Sequence, residues 1–398
     1  MVTQAPEASP DTYDIHRLGA EHTALRARTR AVADELTELV RRSDQQPGYD
    51  DAWFEATGRL HDEGYFAMSV PTEFGGTGAD LLSLALVQEQ LSRVDGGIAN
   101  CVSHEACAAQ AILRANDEIR SMCFEQMLGG ALTCIAITEP QSGSDLGAMK
   151  TTATRTSDGY VINGAKTIAS LAGVAKIYLI WAMTDPDAGT RGISTFFVPG
   201  DHPGIKVEPA IDTLGFRQLP HHDVTFTSIE VPESARLGNE GAGLSVFSEA
   251  LNVGRLGGGA QALGLAIGAY EHAVRWSRER TTFGKPIVEH QAIQFKLVDM
   301  LTGITTGRSL LYDVARFMDD TDLGSREVGM YAAMVKQHES DLAMRVTEEA
   351  VEVFGAQGIW KSNDVERLYR DAKVTQIVDG PNELMRMRIG REIVRGRI

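Results

Sequence analysis

The hydrophobic positions divide the chain into three stretches with different periodicities. Through the first third, and again after Gly243, apolar residues recur at the spacing of amphipathic helices. Between these stretches, from Leu132 to about Val231, short β-branched runs alternate with turn residues. The pattern predicts a mostly α-helical protein with an inserted β-domain of about a hundred residues.

The changes of pattern predict the boundaries of three domains. An N-terminal helical domain spans residues 15–130, a middle β-domain spans residues 131–238, and a C-terminal helical bundle spans residues 239–398. Residues 1–14 are polar and acidic and contain prolines, so we expect a disordered leader there and not a signal peptide.

Individual elements follow from the same periodicities. The predicted helices are Leu18 to Arg42, Asp51 to Gly64, Leu81 to Val94, Ile98 to Ala115, Asp117 to Met127, Leu244 to Arg280, Val288 to Phe317, Ser325 to Phe354, Asp364 to Ile377 and Glu383 to Arg395. The predicted strands are Tyr160 to Ile162, Ile177 to Met183, Ile193 to Val198, Gly204 to Val207 and Val224 to Val231.

Composition and charge narrow the function classes. The 398 residues are 43% hydrophobic, and no apolar run approaches the roughly 20 residues that a membrane-spanning helix needs. The net charge of −16 disfavours a nucleic acid partner, because duplex binding needs a basic surface. The four cysteines lack metal-binding spacing, so we expect buried thiols in a reducing cytoplasm and no metal site.

The segment from Asp371 to Glu383 contains a break between two predicted helices. Gly380 and Pro381 cannot continue a helix, since glycine is costly there and proline lacks an N–H. Asp379 therefore lies at a helix-to-helix junction. Two interpretations are open: the carboxylate caps the last helix, or it is held near a ligand that its backbone N–H also contacts.

The strongest motif is the segment from Cys134 to Asp145, in which a strand runs into a turn rich in proline, glycine and serine. Backbone N–H groups and the hydroxyls of Thr138 and Ser144 suit a heterocycle edge and phosphate oxygens. The segment resembles the flavin-binding signature of the acyl-CoA dehydrogenase family, and the resemblance extends from about Ala52 to Ile398. It implies FAD as cofactor, and a fold with an N-terminal helical domain, a middle β-barrel-like domain and a C-terminal four-helix bundle.

Three further segments resemble the family in the same order. Within residues 160–170 the family usually has Trp-Ile-Thr, with the tryptophan packed on the flavin and the threonine hydroxyl near N5. This chain has Ile168 and Ser170 at the outer two positions, so the hydroxyl is kept and the aromatic packing is lost.

The other two segments imply a flavin site shared between subunits. Residues 278–293 resemble the segment that reaches the flavin of a neighbouring subunit, with Arg280 against the pyrophosphate. Residues 354–358 resemble a loop at the neighbour's flavin nucleotide, and Glu352 stands where the family often has glutamine, so a base must compensate this acid. The resemblance therefore implies a homotetramer, a dimer of dimers. The implied FAD contacts are Ile135, Ile137, Thr138, Gly143, Ser144, Ile168, Ser170, Arg280, Thr282, Phe283, Ile287, His290, Ile293, Glu352, Val353, Gly355, Ala356, Val378, Pro381 and Glu383.

The activity that the resemblance implies is FAD-dependent α,β-dehydrogenation of an acyl thioester. In the family a junction carboxylate removes the α-proton, the β-hydride passes to flavin N5, and the base's own N–H polarises the thioester carbonyl. Here that base is Asp379, shorter by roughly 1.5 Å than the glutamate of most members. The family's alternative base position precedes Arg255 and is occupied by Gly254, which cannot serve.

Substrate contacts are implied on the same grounds. Those to the pantetheine and thioester are Ser144, Asn252, Arg255 and Gly380. The helix that lines the acyl pocket in relatives carries three polar residues here, Asn100, Ser103 and His104. If they face the pocket, they favour a short or functionalised acyl chain; the other interpretation is that they face away or cap one another.

Several alternatives stay open. The aspartate base and the missing tryptophan also allow a flavin oxidase or monooxygenase on the same fold. A non-catalytic FAD-binding protein is a further possibility, and the acyl carrier is either coenzyme A or a carrier protein. For a dehydrogenase, the expected electron acceptor is an electron-transfer flavoprotein.

Overall fold

The computed structural model describes residues 15–397, so the predicted leader over residues 1–14 lies outside the described part. Four of the N-terminal helices begin after an aspartate or asparagine whose side-chain oxygen accepts a first-turn N–H, which satisfies one of the unpaired helix donors. These caps are Asp50, Asp80, Asp95 and Asn116. The N-terminal helices are α1 (Ala20–Ser43), α2 (Asp51–Asp62), α3 (Leu81–Ser92), α4 (Gly96–Ile112) and α5 (Asp117–Leu128).

The middle part is one twisted sheet. Its strands are β1 (Thr133–Ala136), β2 (Thr152–Arg155), β3 (Gly159–Ser170), β4 (Ile177–Met183), β5 (Ile193–Pro199), β6 (Ile205–Ala210), β7 (His221–Pro232) and β8 (Arg236–Leu237). The order is β6-β7-β3-β2-β4-β5-β8, with β1 parallel to β4. Because the order runs from β6 at one edge to β8 at the other, the form is looser than the predicted barrel.

Five helices form the C-terminal part of the described chain. They are α6 (Gly243–Glu279), α7 (Gln291–Asp319), α8 (Arg326–Phe354), α9 (Asp364–Thr375) and α10 (Asn382–Val394). Two short strands, β9 (Thr281–Thr282) and β10 (Lys285–Pro286), form a hairpin between α6 and α7. α6 is the central helix, since it packs against α3, α4, α7, α8 and α9.

One carboxylate connects the three parts. Asp371 on α9 accepts the N–H of Gly96 at the start of α4 (3.0 Å) and the N–H of Phe216 in the loop before β7 (2.7 Å). Burial raises its pKa, because the charged form loses its hydration. The position of α9 is therefore fixed against both the helical N-terminal part and the sheet.

Two kinds of feature are absent from the described residues. Between residues 15 and 397, no helix combines the length and apolar character that crossing a bilayer requires. The same residues contain no group of three or more histidine, cysteine, aspartate or glutamate side chains arranged to hold a metal ion.

Candidate active site

The junction between α9 and α10 has a left-handed backbone. Asp379 has φ of 56° and Gly380 has φ of 95°, a region that is costly for most residues with a side chain. α10 begins after Pro381, which is its N-cap residue, and no side chain accepts the first-turn N–H groups. The interpretation of Asp379 as a helix cap is therefore wrong.

The carboxylate of Asp379 lies instead against a glycine surface of α6. A methyl group added at Gly254 would lie 3.5 Å from Oδ1 of Asp379, and one added at Gly258 would lie 3.2 Å from Oδ2. These glycines are four residues apart and so share one helix face. The close approach leaves no room for bulk at either position, and the short aspartate side chain suits it.

Two buried cations hold the backbone of the junction. Nζ of Lys336 on α8 donates to the carbonyl oxygen of Gly380 (2.8 Å) and to Oδ1 of Asn382 (2.9 Å). Nε of Arg255 on α6 donates to the carbonyl oxygen of Asp379 (3.3 Å). The N–H of Asp379 donates to no other described residue, so it is free for a ligand.

The same groups set the protonation of the junction. Burial raises the pKa of the Asp379 carboxyl, and the positive charges of Lys336 and Arg255 oppose that rise. Burial also lowers the pKa of Lys336 to about 8 and that of Arg255 to about 10. The site is thus a desolvated carboxyl group that faces two basic side chains.

One face of α4 forms a wall beside the carboxylate. Most of α4 is buried, and a partly exposed stripe runs along it at helical spacing, comprising Asn100, His104, Cys107 and Gln110. Cys107 is next to the junction, since a methyl group at Gly254 would lie 2.8 Å from its Sγ. Asn100 donates from Nδ2 to Oε1 of Gln261 (2.9 Å), whereas Ser103 is buried against Gly257. Asn100 and His104 thus lie on the partly exposed stripe, and Ser103 lies off it.

A buried ion pair shapes the turn that follows β1. Nζ of Lys166 donates to the carbonyl oxygen of Ile137 and to Oε1 of Glu139, both at 2.9 Å. Burial alone would raise the pKa of Glu139, but hydrogen bonds from Thr151 and Lys166 hold it at about 2. Thr138 is thereby fixed between two anchored residues, and its carbonyl oxygen accepts the N–H of Thr167 (2.9 Å).

Ser170 lies at the end of β3 opposite His221 on β7. Its Oγ makes a hydrogen bond of 3.0 Å with Nδ1 of His221. A second histidine, His104 on α4, also contacts the sheet, because its Nε2 donates to the carbonyl oxygen of Thr133 on β1 (3.1 Å). Burial lowers the pKa of both histidines to about 4, so both are neutral near pH 7. Ile168, two residues earlier, is left-handed and exposed, with φ of 53°. Through His104, the α4 wall reaches the sheet half of the site.

The hairpin after α6 forms a second cluster. Phe283 at its tip is 96% exposed, and its ring meets that of His290 edge to face at 6.0 Å. The guanidinium of Arg280 is exposed and pairs with no other described residue. The backbone N–H of Ile287 donates to the carbonyl oxygen of Arg280 (2.8 Å), which closes the hairpin onto the end of α6.

The end of α8 lies beside this hairpin. Phe354 stacks on Trp276 near the end of α6, with ring centroids 4.8 Å apart. Nζ of Lys296 on α7 is 2.6 Å from Oε2 of Glu352, so a base does compensate this acid. The predicted residues from 280 to 293 and from 352 to 356 therefore share one end of the helical bundle.

The predicted contacts thus fall into separate groups on this single chain. One group is on the sheet, comprising Ile135, Ile137, Thr138, Gly143, Ser144, Ile168 and Ser170. The junction group comprises Asn252, Arg255, Val378, Asp379, Gly380, Pro381 and Glu383. The α4 wall lies between these two. None of the hydrogen bonds or ring contacts of the described residues joins either group to the hairpin cluster.

A cavity of about 230 Å³ lies beside the junction group. It is bounded by α3, α4, α6 and the loop after α7, and Gln110 and Val253 are among its lining residues. Asn252 belongs to its surroundings, since Nδ2 donates to the carbonyl oxygen of Leu323, a lining residue (2.9 Å). Asp379 does not line this cavity. Val253 on α6 does, and the next residue, Gly254, lies against the carboxylate of Asp379.

Four residues of the site were not found from the sequence. Gly258 is one of them, because its approach to Asp379 depends on how the junction packs against α6. Cys107, Lys336 and His221 carried no signal of their own, because their partners are distant in sequence.

Comparisons with known proteins agree with this architecture. Models of the acyl-CoA dehydrogenase N-terminal, middle and C-terminal domains match residues 19–131, 134–229 and 241–394. An acyl-CoA dehydrogenase of Bacillus subtilis is 38% identical, over 90% of this chain and 93% of the relative. A cyclohex-1-ene-1-carbonyl-CoA dehydrogenase of Geobacter metallireducens is 37% identical, over 92% and 94%. The structure of butyryl-CoA dehydrogenase from Megasphaera elsdenii is 33% identical with a TM-score of 0.90, covering 96% of this chain and all of that one (100%).

Proposed function

The chain belongs to the acyl-CoA dehydrogenase family, and we propose that it catalyses FAD-dependent α,β-dehydrogenation of an acyl thioester with Asp379 as the base. The observation that carries the role of Asp379 is its placement. Its carboxylate is desolvated against Gly254 and Gly258, and its own N–H is free. One residue therefore offers a proton acceptor and an oxyanion donor within a single turn.

The residues of the junction have separate roles in the proposed reaction. Asp379 removes the α-proton, and burial makes it a stronger base than an exposed aspartate because its pKa is raised. Its N–H donates to the thioester oxygen, where charge develops as the proton leaves. Arg255 and Lys336 hold the two junction carbonyls so that this N–H stays directed at the ligand. FAD, when bound, supplies the oxidation by accepting the β-hydride at N5.

The donor set of the sheet group fits the cofactor. Thr138, Ser144 and Ser170 supply uncharged hydroxyls, and Ile168 exposes an apolar surface beside them. Arg280 supplies a charged donor of the geometry that a pyrophosphate accepts in pairs. We assign FAD contacts to all residues of the sheet group and the hairpin cluster on this basis.

We further propose that two chains complete each FAD site within a homotetramer. The hairpin cluster has no described contact to the sheet group of its own chain, which supports the sharing. It is also flanked by exposed apolar side chains on one face of α7, namely Phe295, Val298 and Leu301. Light scattering on the purified holoenzyme tests this: we expect the mass of four chains, and a fully FAD-loaded monomer contradicts it.

The substrate class follows from the α4 wall. Asn100 and His104 are polar residues of its partly exposed stripe, and Cys107 places a thiol beside the base. Such a wall favours a short or functionalised acyl group over a long alkyl chain. Anaerobic titration with short, branched, cyclic and hydroxylated acyl-CoA thioesters, and with one carrier-protein thioester, identifies the acyl group and the carrier. An electron-transfer flavoprotein is the proposed acceptor of the electrons.

A second candidate, an oxidase on the same fold, is favoured by one observation. Ile168 stands exposed where the family usually has an aromatic ring, which leaves that side of the FAD site open. Oxygen consumption with peroxide formation during turnover, without another acceptor, favours the oxidase. Slow aerobic turnover that an electron-transfer flavoprotein accelerates favours the dehydrogenase.

The deciding variant is Asp379→Asn, which keeps the shape of the side chain and removes its basicity. We expect full FAD occupancy and a rate of flavin reduction by thioester lower by at least about 10³-fold, within the range that general bases contribute. The visible spectrum measures both quantities. Reduction at a near wild-type rate removes Asp379 from the base role.

A further inference from the structure

We propose that Lys336 is a positioning residue for the reaction: through the carbonyl of Gly380 it holds the junction that places the carboxylate and N–H of Asp379. This inference rests on the proposed role of Asp379 as the base. Lys336 lies on α8, more than forty residues before the junction, and none of the four segments that resemble the family includes it.

The burial of Lys336 needs an explanation. The residue is 1% exposed, and no carboxylate lies within 4 Å of its Nζ among the described residues. Burying an ammonium group is costly unless it is paired or hydrogen-bonded. Its partners are the carbonyl oxygen of Gly380 and the side-chain oxygen of Asn382, which follow Asp379 by one and three residues. The charge is therefore directed at the junction and not at an ion-pair network.

The conformation of the junction makes this contact consequential. Asp379 and Gly380 are both left-handed, a combination that the chain adopts only if its surroundings hold it. Arg255 holds the carbonyl of Asp379 at 3.3 Å, and Lys336 holds the next carbonyl at the shorter distance of 2.8 Å. Asn382 is fixed in turn by Ser340, whose Oγ is 2.9 Å from its Nδ2. α8 thus clamps the junction, while α6 supports the carboxylate.

Lys336 also acts on Asp379 through its charge. The groups that face Asp379 are Lys336 on α8, Arg255 on α6 and the neutral thiol of Cys107 on α4. Arg388 faces Arg255 from α10, and Asp341 and Glu383 face Lys336. Removing Lys336 deletes one of the two positive charges that favour the ionised base, so the base then ionises only at higher pH.

The test compares three variants of the FAD-loaded enzyme by stopped-flow flavin reduction from pH 5.5 to 9. For Lys336→Met we expect a rate at pH 7 lower by about 10- to 100-fold, which is the size of effect that small misplacements cause. We also expect the rising limb of the pH–rate profile, where the rate increases as the base ionises, to move to higher pH. For Lys336→Arg we expect the limb near its wild-type position and a smaller loss of rate, because the charge is kept and the geometry changes. Ser340→Ala is the matched control: it weakens the hold on Asn382 without changing charge, so its limb stays in place.

Flavin absorbance and thermal unfolding show separately whether each variant is folded and loaded. The inference is overturned if Lys336→Met changes only the melting temperature and keeps the wild-type rate and limb. If Lys336→Met does not fold, Lys336→Arg decides: a wild-type rate in that variant overturns the positioning role, and a reduced rate with an unmoved limb supports it. Failure of the proposed function is distinguishable, since it shows as normal reduction in Asp379→Asn.

Discussion

Residues 15–397 contain two turns in which a left-handed residue with a side chain precedes a left-handed glycine. They are Asp379-Gly380, with φ of 56° and 95°, and Phe283-Gly284, with φ of 50° and 79°. Such a conformation costs about 1–3 kcal/mol for the residue with the side chain. At the first turn, buried cations and a glycine surface of the same chain compensate this cost. At the second, the side chain is 96% exposed and meets only one ring.

The difference separates two kinds of functional turn. The junction is complete within one chain, so it can place a reactive group accurately before any ligand arrives. The hairpin presents Phe283 and Arg280 outward, and its conformation is useful only to something that binds against it. We infer that the junction sets the rate of the reaction and that the hairpin sets the affinity for FAD and, in the proposed tetramer, for the neighbouring chain.

The largest effect is expected when a side chain fills the glycine surface against which the carboxylate of Asp379 lies. Gly258→Val adds bulk where even a methyl group would lie 3.2 Å from Oδ2, so the carboxylate must move. We expect flavin reduction to slow by about 100-fold, with Gly258→Ala intermediate and FAD occupancy unchanged in both. Gly390→Val on α10 is the control, because nothing lies within 4 Å of the added carbon. Equal rates in both valine variants would show that the surface does not position the base.

A smaller effect is expected at the hairpin. Arg280→Gln removes a charged donor, and loss of such a hydrogen bond costs about 1.5–3 kcal/mol. FAD should therefore bind about 10- to 100-fold more weakly, while the reduction rate of the FAD that remains bound changes little. Fluorescence titration of the apoprotein measures the affinity. Arg278→Gln, an exposed neighbour on the same helix end, serves as the control; an equal loss there would mean that general charge, and not position, matters.

The smallest effect concerns pH. Because burial raises the pKa of Asp379, the rate of reduction should rise with pH through a limb above the ordinary aspartate range of about 3.9. FAD affinity should show no matching limb, because no hydrogen bond or ring contact of the described residues joins the hairpin cluster to Asp379. Rate and affinity measured over the same pH series check this. A common limb in both would link the two turns and contradict their separation.

The sequence predicted the fold closely because its signals are local. Helix periodicity placed the α-helices within a few residues, and β-branched runs located β1 and β4 to β7. β2, β8 and the hairpin strands β9 and β10 were not predicted, β3 is longer than the predicted run from Tyr160 to Ile162, and the sheet is looser than a barrel. The site was harder. The position of Asp379 at a helix break was predictable, but the direction of its side chain was not. The capping interpretation was wrong because Pro381, and not Asp379, is the N-cap residue of the last helix.

The remaining features of the site arise from contacts between distant parts of the chain. Lys336 reads as an ordinary residue of an amphipathic helix, and only the fold shows that it is buried against Gly380. His221 lies next to Ser170 because β3 and β7 are paired in that register. Such pairings depend on tertiary packing, which periodicity does not encode.

The carboxylate of Asp371 has a consequence for how the two halves of the site keep their spacing. It bonds to the start of α4 and to the loop that enters β7, and from it α9 runs on towards Asp379. The positions of the base, the α4 wall and the strand that carries His221 are therefore all set relative to the Asp371 carboxylate. A shift of the sheet relative to α9 would break the hydrogen bond from Phe216, and a shift of α4 would break the one from Gly96.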